Sequence, residues 1–262
     1  MTTAKITVRH DGPIGWLVID NPERRNAVTY DMWQAIPEAL ERFAAEPAIR
    51  AIVVTGSGEE AFASGADISE FGERRATPEA VAQYNATTTR AHAALIEIAK
   101  PTIAMIRGFC IGGGLALALC CDIRMAAEGA RFGVPAARLG LGYRFDGVKR
   151  LVDLVGPAYA REIFFTARRF DADEALRMGL VNRVVPKEAL ETAVKETAAT
   201  IAANAPLTVA AAKLSIEEAL KDPAERDLAA IDAAVEACFK SQDYIEGRQA
   251  FVEKRRPKFR GI

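Results

Sequence analysis

An α/β core followed by a helical C-terminal region is the fold class this chain predicts, and three observations predict it. Short apolar runs rich in β-branched residues alternate with amphipathic, helix-length stretches up to Val185. From Lys187 onwards the chain is alanine-rich and helical in pattern, broken at Pro206 and Pro223. No internal repeat or low-complexity linker divides the 262 residues. One domain with an extension is therefore expected, with residues 1–186 as the core and 187–262 as the helical region.

The elements follow in order. Ile6 to Asp20 reads as two strands around an Asp11-Gly12 turn. Asn21 to Val28 is a polar loop with adjacent arginines, Arg24 and Arg25. Asp31 is placed to cap a helix whose apolar positions Met32, Ile36, Leu40 and Phe43 have helical spacing, despite Pro37. Arg50 to Gly56 is a buried strand, Ala61 to Ile68 a loop of small residues, and Ser69 to about Gln83 a polar segment before a helix that runs towards Lys100. Ile123 to Ala127 is a short strand, and Leu139 to Gly147 a glycine-rich loop. A helix from Val148 is ended by Gly156-Pro157, and Ala158 to Phe165 is helical again. Asp171 to Gly179 is a capped helix, and Val181 to Val185 a strand. The basic tail, Gly247 to Arg260, reads as a solvated helix end.

The stretch that organises the rest is Pro101 to Asp122. An apolar run, Thr102 to Ile106, has the length of a buried strand; Gly108 breaks it, and Gly112, Gly113 and Gly114 lead into a helix-favouring Leu115 to Leu119. Glycines at a helix start leave main-chain N–H groups unpaired and approachable, where the helix dipole favours negative charge. The pattern can hold an oxyanion; the plain alternative is a tight turn or close packing.

Composition narrows the function. Half the residues are hydrophobic and the net charge is -1, which gives no reason to expect nucleic acid. No apolar run is long enough to span a bilayer, and the N-terminus lacks the apolar core of a signal peptide, so a cytosolic (cytoplasmic) protein without a membrane partner is expected. Cys110, Cys120, Cys121 and Cys238 lack zinc-ligand spacing and read as reduced core residues. With only His10 and His92, a Ser-His-Asp triad or a multi-histidine metal site is not expected.

Five separated segments resemble the crotonase, or enoyl-CoA hydratase/isomerase, superfamily. They are Asn21-Pro-Glu-Arg-Arg-Asn-Ala, Ala61-Phe-Ala-Ser-Gly-Ala-Asp-Ile, Gly108-Phe-Cys-Ile-Gly-Gly-Gly-Leu with Cys121-Asp122, Ala175-Leu-Arg-Met-Gly-Leu-Val-Asn-Arg-Val-Val, and Phe251-Val-Glu-Lys-Arg-Arg-Pro. The resemblance implies a spiral of ββα units, C-terminal helices that assemble a homotrimer or hexamer, and an acyl-CoA thioester substrate. No permanent cofactor is implied, since coenzyme A arrives as part of the substrate. The resemblance also implies that the backbone N–H groups of Ala66 and Gly113 hold the thioester oxygen while an enolate develops. Arg25, Ala27, Ala63, Asp67 and Ile68 are implied along coenzyme A, with Arg25 near its phosphates; Arg24, read on its own, simply faces water.

The superfamily's hydratases carry two glutamates at positions that here hold Ala116 and Ala136. Alanine cannot serve as a general acid or base, so ordinary hydration is not expected. Catalytic side chains in other branches lie on the loop that here contains Tyr143, Arg144 and Asp146. The Leu-Gly-x-x-Tyr-x-x-x-Gly pattern resembles the decarboxylases, which have histidine where Ala66 stands. Tyr143 reads equally as packing, and Arg144 with Asp146 as a solvated pair. Three readings follow: an enolate-stabilising enzyme such as a decarboxylase, an isomerase, hydratase or lyase using Asp146 or Asp67 as base, or a non-catalytic acyl-CoA-binding protein.

Overall fold

The computed structural model describes residues 4–74 and 76–262. Strands β1 (Lys5–Asp11) and β2 (Ile14–Asp20) form the expected antiparallel hairpin. Helix α1 (Tyr30–Ala45) is capped by Thr29, whose hydroxyl accepts from the Met32 amide, and not by Asp31, which lies inside the first turn. Asp31 there favours the positive end of the helix dipole without closing it. Pro37 lies within α1; it removes the bond its N–H would make to the Trp33 carbonyl, yet the helix continues.

Strand β3 (Ala51–Gly56) is buried throughout. The chain then lays down β4 (Ala61–Ala63) and, through a 3₁₀ turn, α2 (Phe71–Arg74). Helix α3 (Pro78–Glu97) starts on Thr77, whose hydroxyl accepts from the Ala80 amide. The segment read as polar and irregular therefore holds two helix starts, with Arg75 outside the described residues. Next come β5 (Thr102–Ile106), β6 (Phe109–Ile111), α4 (Gly113–Leu119), β7 (Ile123–Ala127) and β8 (Arg131–Gly133). Helix α5 (Phe145–Thr166) begins three residues before the expected Val148, and its helical dihedrals fail at Gly156 (φ 74°), where the Gly-Pro signal predicted the break. Strand β9 (Phe170–Asp171), α6 (Ala172–Arg177) and β10 (Arg183–Val185) complete the core, α6 opening on a capping box between Asp171 and Glu174.

The larger sheet has the order β1-β2-β3-β5-β7-β10 and the smaller β4-β6-β8-β9. Beyond the hairpin and the β8–β9 pair, every pairing is parallel. Each turn of the chain thus adds one strand to the large sheet, one to the small sheet, and then a helix: β3-β4-α3, β5-β6-α4, β7-β8-α5. This is the ββα spiral that the resemblance implies. Its small-sheet strands span two or three residues, too short for a periodicity to reveal.

The main core lies between the sheets and α1, α3, α4 and α5. The opposite face of the large sheet, with Trp16, Val53, Ile103 and Met125, is covered by Leu190, Val194 and Ala198 of α7 (Leu190–Ala202). The packed core therefore continues past residue 186, and 187–262 is not uniform. After α8 (Pro206–Ala219) come α9 (Leu228–Lys240), which buries no residue within the protomer, and α10 (Gln242–Val252). Ile216, Leu220, Leu228, Val235 and Phe239 are all exposed apolar residues of this region. Among the described residues, no single helix is long and apolar enough to cross a membrane.

Candidate active site

The site is assembled where three loops meet. The first, residues 21–28, is locked by two asparagines. Asn26, fully buried, donates through Nδ2 to the carbonyls of Ser57 and Ala61 (2.9 and 2.7 Å), and its Oδ1 accepts from the Asn21 amide (3.0 Å). Asn21 donates to the Ala27 carbonyl at 2.8 Å. These bonds hold Arg25 and Asn26 in consecutive left-handed conformations (φ 52° and 55°), a turn that asparagine tolerates better than most residues.

The second loop, 63–68, joins the first through one parallel bridge, Val28 to Ala66. The Val28 amide donates to the Gly65 carbonyl (2.8 Å) and the Asp67 amide to the Val28 carbonyl (3.0 Å). A parallel bridge uses the groups flanking Ala66 and turns the Ala66 N–H the other way. There it meets the third loop. Gly112, at φ 54°, turns the chain from β6 into α4, and Gly114 is pressed so closely on β4 that a Cβ would overlap the Ala63 carbonyl. A Cβ on Gly113 would stand 3.3 Å from the Ala66 nitrogen, and one on Gly65 would stand 3.5 Å from the Gly113 nitrogen. Among the described residues, neither the Ala66 nor the Gly113 amide donates to a backbone or side-chain acceptor. Two N–H groups with no acceptor therefore lie close together at a helix N-terminus.

Ala116 lies one turn into α4, half-exposed beside buried neighbours. Ala136 is 5 % exposed in the 3₁₀ turn Pro135–Arg138. That turn is drawn to the start of α4 by the Gly112 amide, which donates to the Gly133 carbonyl at 2.8 Å. Tyr143 is half-buried and stacks edge-on against Phe164, ring centres 5.0 Å apart. Arg144 and Asp146 approach only to 4.0 Å, with side chains 64 % and 69 % exposed, the solvated pair that the plain reading described.

Around the loops, two assignments change. Arg24 does not simply face water. Its Nη1 donates to both Asp67 carboxylate oxygens (3.1 and 2.8 Å) and to the Ser69 hydroxyl (2.6 Å), pinning the first loop to the second. Asp67 is correspondingly unsuited to be a base. Burial raises its pKa, but the Ser69 hydroxyl and amide and the Arg24 guanidinium together hold it below the usual carboxylate value. Ala63 is fully enclosed and Ala27 nearly so. Ile68 is exposed, while Arg25 lies over the Phe109 ring (5.1 Å) and 3.5 Å from Glu60.

Two residues that sequence reasoning passed over also border the site. Trp33 of α1 is 1 % exposed, and its Cζ2 would lie 3.6 Å from a Gly113 Cβ. His92 of α3 meets the Trp33 ring edge-on, centres 5.4 Å apart. Burial, then the charge of Arg150, lowers the His92 pKa to about 4, against an opposing pull from Asp146. The imidazole is therefore neutral at neutral pH. Trp33 sits in an apolar helical stripe and His92 on a helix face, and neither pattern distinguishes a site residue from core. Among the described residues there is no cluster of His, Cys, Asp and Glu that could hold a metal ion.

Comparison with known proteins gives one consistent result. The family model described as enoyl-CoA hydratase/isomerase matches residues 10–261. The chain is 36 % identical over 259 residues to a crotonyl-CoA hydratase of Syntrophomonas wolfei, covering 99 % of each chain. It is also 36 % identical over 255 residues to a carnitinyl-CoA dehydratase of Salmonella enteritidis, covering 96 % of each. Among solved structures, an enoyl-CoA hydratase/carnitine racemase from Magnetospirillum magneticum superposes with a TM-score of 0.92 at 37 % identity, over 100 % of this chain and 97 % of that one.

Proposed function

The chain belongs to the enoyl-CoA hydratase/isomerase family of the crotonase superfamily, and from that premise we propose that its Ala66 and Gly113 amides hold the thioester oxygen of an acyl-CoA while an enolate forms at the α carbon. What supports this reading most is that these two N–H groups lie close together beside the start of α4 with no acceptor in the protein. Fixed donors aimed at developing charge need no reorganisation as the reaction proceeds, and each is worth about 10²–10³ in rate.

The reaction follows from what stands opposite. Alanine at 116 and 136 moves no proton, and Asp67 is committed to Arg24. Decarboxylation of a malonyl-type thioester suits such a site. The bond from the α carbon to the carboxylate carbon breaks, CO₂ leaves, and the electron pair passes into the enolate held by the two amides. A proton from solvent water then adds to the α carbon, leaving hydroxide to be neutralised in solution, and no carboxylate base is required. Tyr143 and Arg144 stand on the loop that the resemblance puts beside the reacting carbons.

A second reading, hydration or another lyase or isomerase step with Asp146 as base, is favoured by one observation. Asp146 stands in the first turn of α5, next to the loop that the resemblance puts beside the reacting carbons, with its carboxylate largely exposed. Turnover of malonyl-CoA, methylmalonyl-CoA and crotonyl-CoA separates the readings. CO₂ release, with crotonyl-CoA hydration far below an ordinary turnover of about 10 s⁻¹, supports the first. Hydration at that rate, abolished by Asp146→Asn, establishes the second. Tight CoA binding without turnover of any thioester leaves a binding protein. The proposed assembly is a homotrimer or a pair of trimers in the cytosol, with the exposed apolar face of α8 and α9 between subunits.

A further inference from the structure

Two buried nitrogens on α1 and α3, the first of them on a ring that borders Gly113, have no partner in the protein. Trp33 Nε1 and His92 Nε2 are both sealed from solvent, and neither makes a hydrogen bond. Buried polar groups are paired in the great majority of cases, and leaving one unpaired costs about 1–3 kcal/mol. An unpaired indole N–H alone marks no site. Trp16 Nε1 is equally unpartnered, but it belongs to the opposite face of the large sheet, where Arg9 lies 3.9 Å over its ring. Position separates the two tryptophans. Trp33 Cζ2 is bonded to the ring carbon that carries Nε1, so the N–H lies on the edge that approaches Gly113. The His92 ring packs on the Trp33 ring, centres 5.4 Å apart, and carries the second unpaired nitrogen.

We propose that Trp33 Nε1 and His92 Nε2 are specificity contacts of the acyl pocket, and that the acyl group taken there carries a hydrogen-bonding oxygen close to the thioester. This rests on the acyl-CoA reading above and narrows it to a substrate class. Indole N–H only donates, so the group it meets has to accept. A hydroxyl, oxo or carboxyl oxygen satisfies it, and a plain hydrocarbon chain leaves it orphaned. The neutral His92 ring can donate to an oxo or carboxyl oxygen, or accept from a hydroxyl, according to its tautomer.

The test is a titration of the full-length protein with four thioesters and with CoA itself: butyryl-CoA, 3-hydroxybutyryl-CoA, acetoacetyl-CoA and malonyl-CoA. At least one oxygenated thioester is expected to bind roughly tenfold more tightly than butyryl-CoA, the size of one good buried hydrogen bond. The arm that wins identifies the oxygen. Trp33→Phe, which keeps the aromatic packing, is expected to remove that preference while leaving the affinity for CoA itself unchanged. His92→Leu reports the same preference should Trp33→Phe not fold. Butyryl-CoA bound as tightly as every oxygenated thioester, or a preference that survives both variants, overturns the inference and leaves the acyl-CoA reading standing. Should butyryl-CoA and the other thioesters all bind no better than CoA, the acyl-CoA reading fails and this inference with it.

Discussion

Replacing Gly113 by alanine tests the site with a single methyl group. The added carbon would stand 3.3 Å from the Ala66 nitrogen and one bond angle from its own, close to where the proposed site would put a shared thioester oxygen. The backbone tolerates the change, because Gly113 is not among the positive-φ glycines. The other neighbour, Trp33 Cζ2 at 3.6 Å, is at ordinary contact distance. Alanine favours a helix over glycine by up to about 1 kcal/mol, and easing the tight contact with Ala66 offsets part of that. Stability should therefore change by less than about 1 kcal/mol, a Tm shift of about 2–4 °C at this chain length. Catalysis should fall by at least about 10²–10³, the cost of one oxyanion donor, since the methyl obstructs both. The assay is turnover of the preferred thioester. Alongside it, the infrared carbonyl band of a bound ¹³C-labelled thioester should move to lower frequency in the wild type and stay at its solution position in Gly113→Ala. A folded variant that turns over within about tenfold of wild type, with the band still shifted, would refute the assignment of these amides.

Other outcomes follow from groups around the site. His92 has a folded pKa of about 4 against an ordinary 6.5, so the unfolded chain takes up a proton that the folded chain refuses. Stability should fall as pH drops from about 6.5 to about 4, by at most about 3 kcal/mol; denaturant titrations at several pH values should show this slope flattened in His92→Leu, and equal slopes would contradict it. Asp122 accepts from the Thr102 amide (2.7 Å) and from Lys213 (2.9 Å). Asp122→Ala strands a buried ammonium and should cost about 3–5 kcal/mol, well above Lys213→Met; equal losses would show that the pair is not what matters. Light scattering should give an assembly several times the 28.3 kDa protomer, and Leu228→Asp with Phe239→Asp should reduce it to monomer; a wild-type monomer at micromolar concentration counts against the proposed interface. Ala116→Glu should introduce measurable hydration of crotonyl-CoA more readily than Ala136→Glu, because position 136 is 5 % exposed and would bury the carboxylate; the opposite order would misplace the two alanines.

Legibility in the sequence tracked how local each cause is. β3 and β5 announced themselves because both faces are buried and the residues are continuously apolar. The small sheet stayed hidden because β4, β6 and β8 are three residues each and exist only through pairing with one another. Thr29 in place of Asp31 as the α1 cap is a shift of two residues between residue types that cap well, and propensity does not separate them. The glycines around 113 were readable as a helix start with free amides, but the turning of the Ala66 N–H towards them depends on a bridge to Val28, 38 positions away by the numbering. Arg24 and Arg25 are neighbours in sequence. Which one reaches Asp67 is settled by a left-handed turn that Asn26 holds from inside the protein. Trp33 and His92 lie on different helices and meet only because α1 and α3 cross beside α4.

The origin of the two converging donors bears on how such a protein can diversify. A donor that belongs to the main chain is encoded by no codon. A substitution at 66 or 113 can crowd it or displace it but leaves the N–H in place, unless the new residue is proline. What keeps it aimed is the Val28 bridge and the Gly114–Ala63 packing. The groups that move protons are, by contrast, ordinary side chains, each one base change or two from loss. A protein that relies on such donors can therefore lose or exchange its proton-moving side chains while the main-chain N–H groups stay in place.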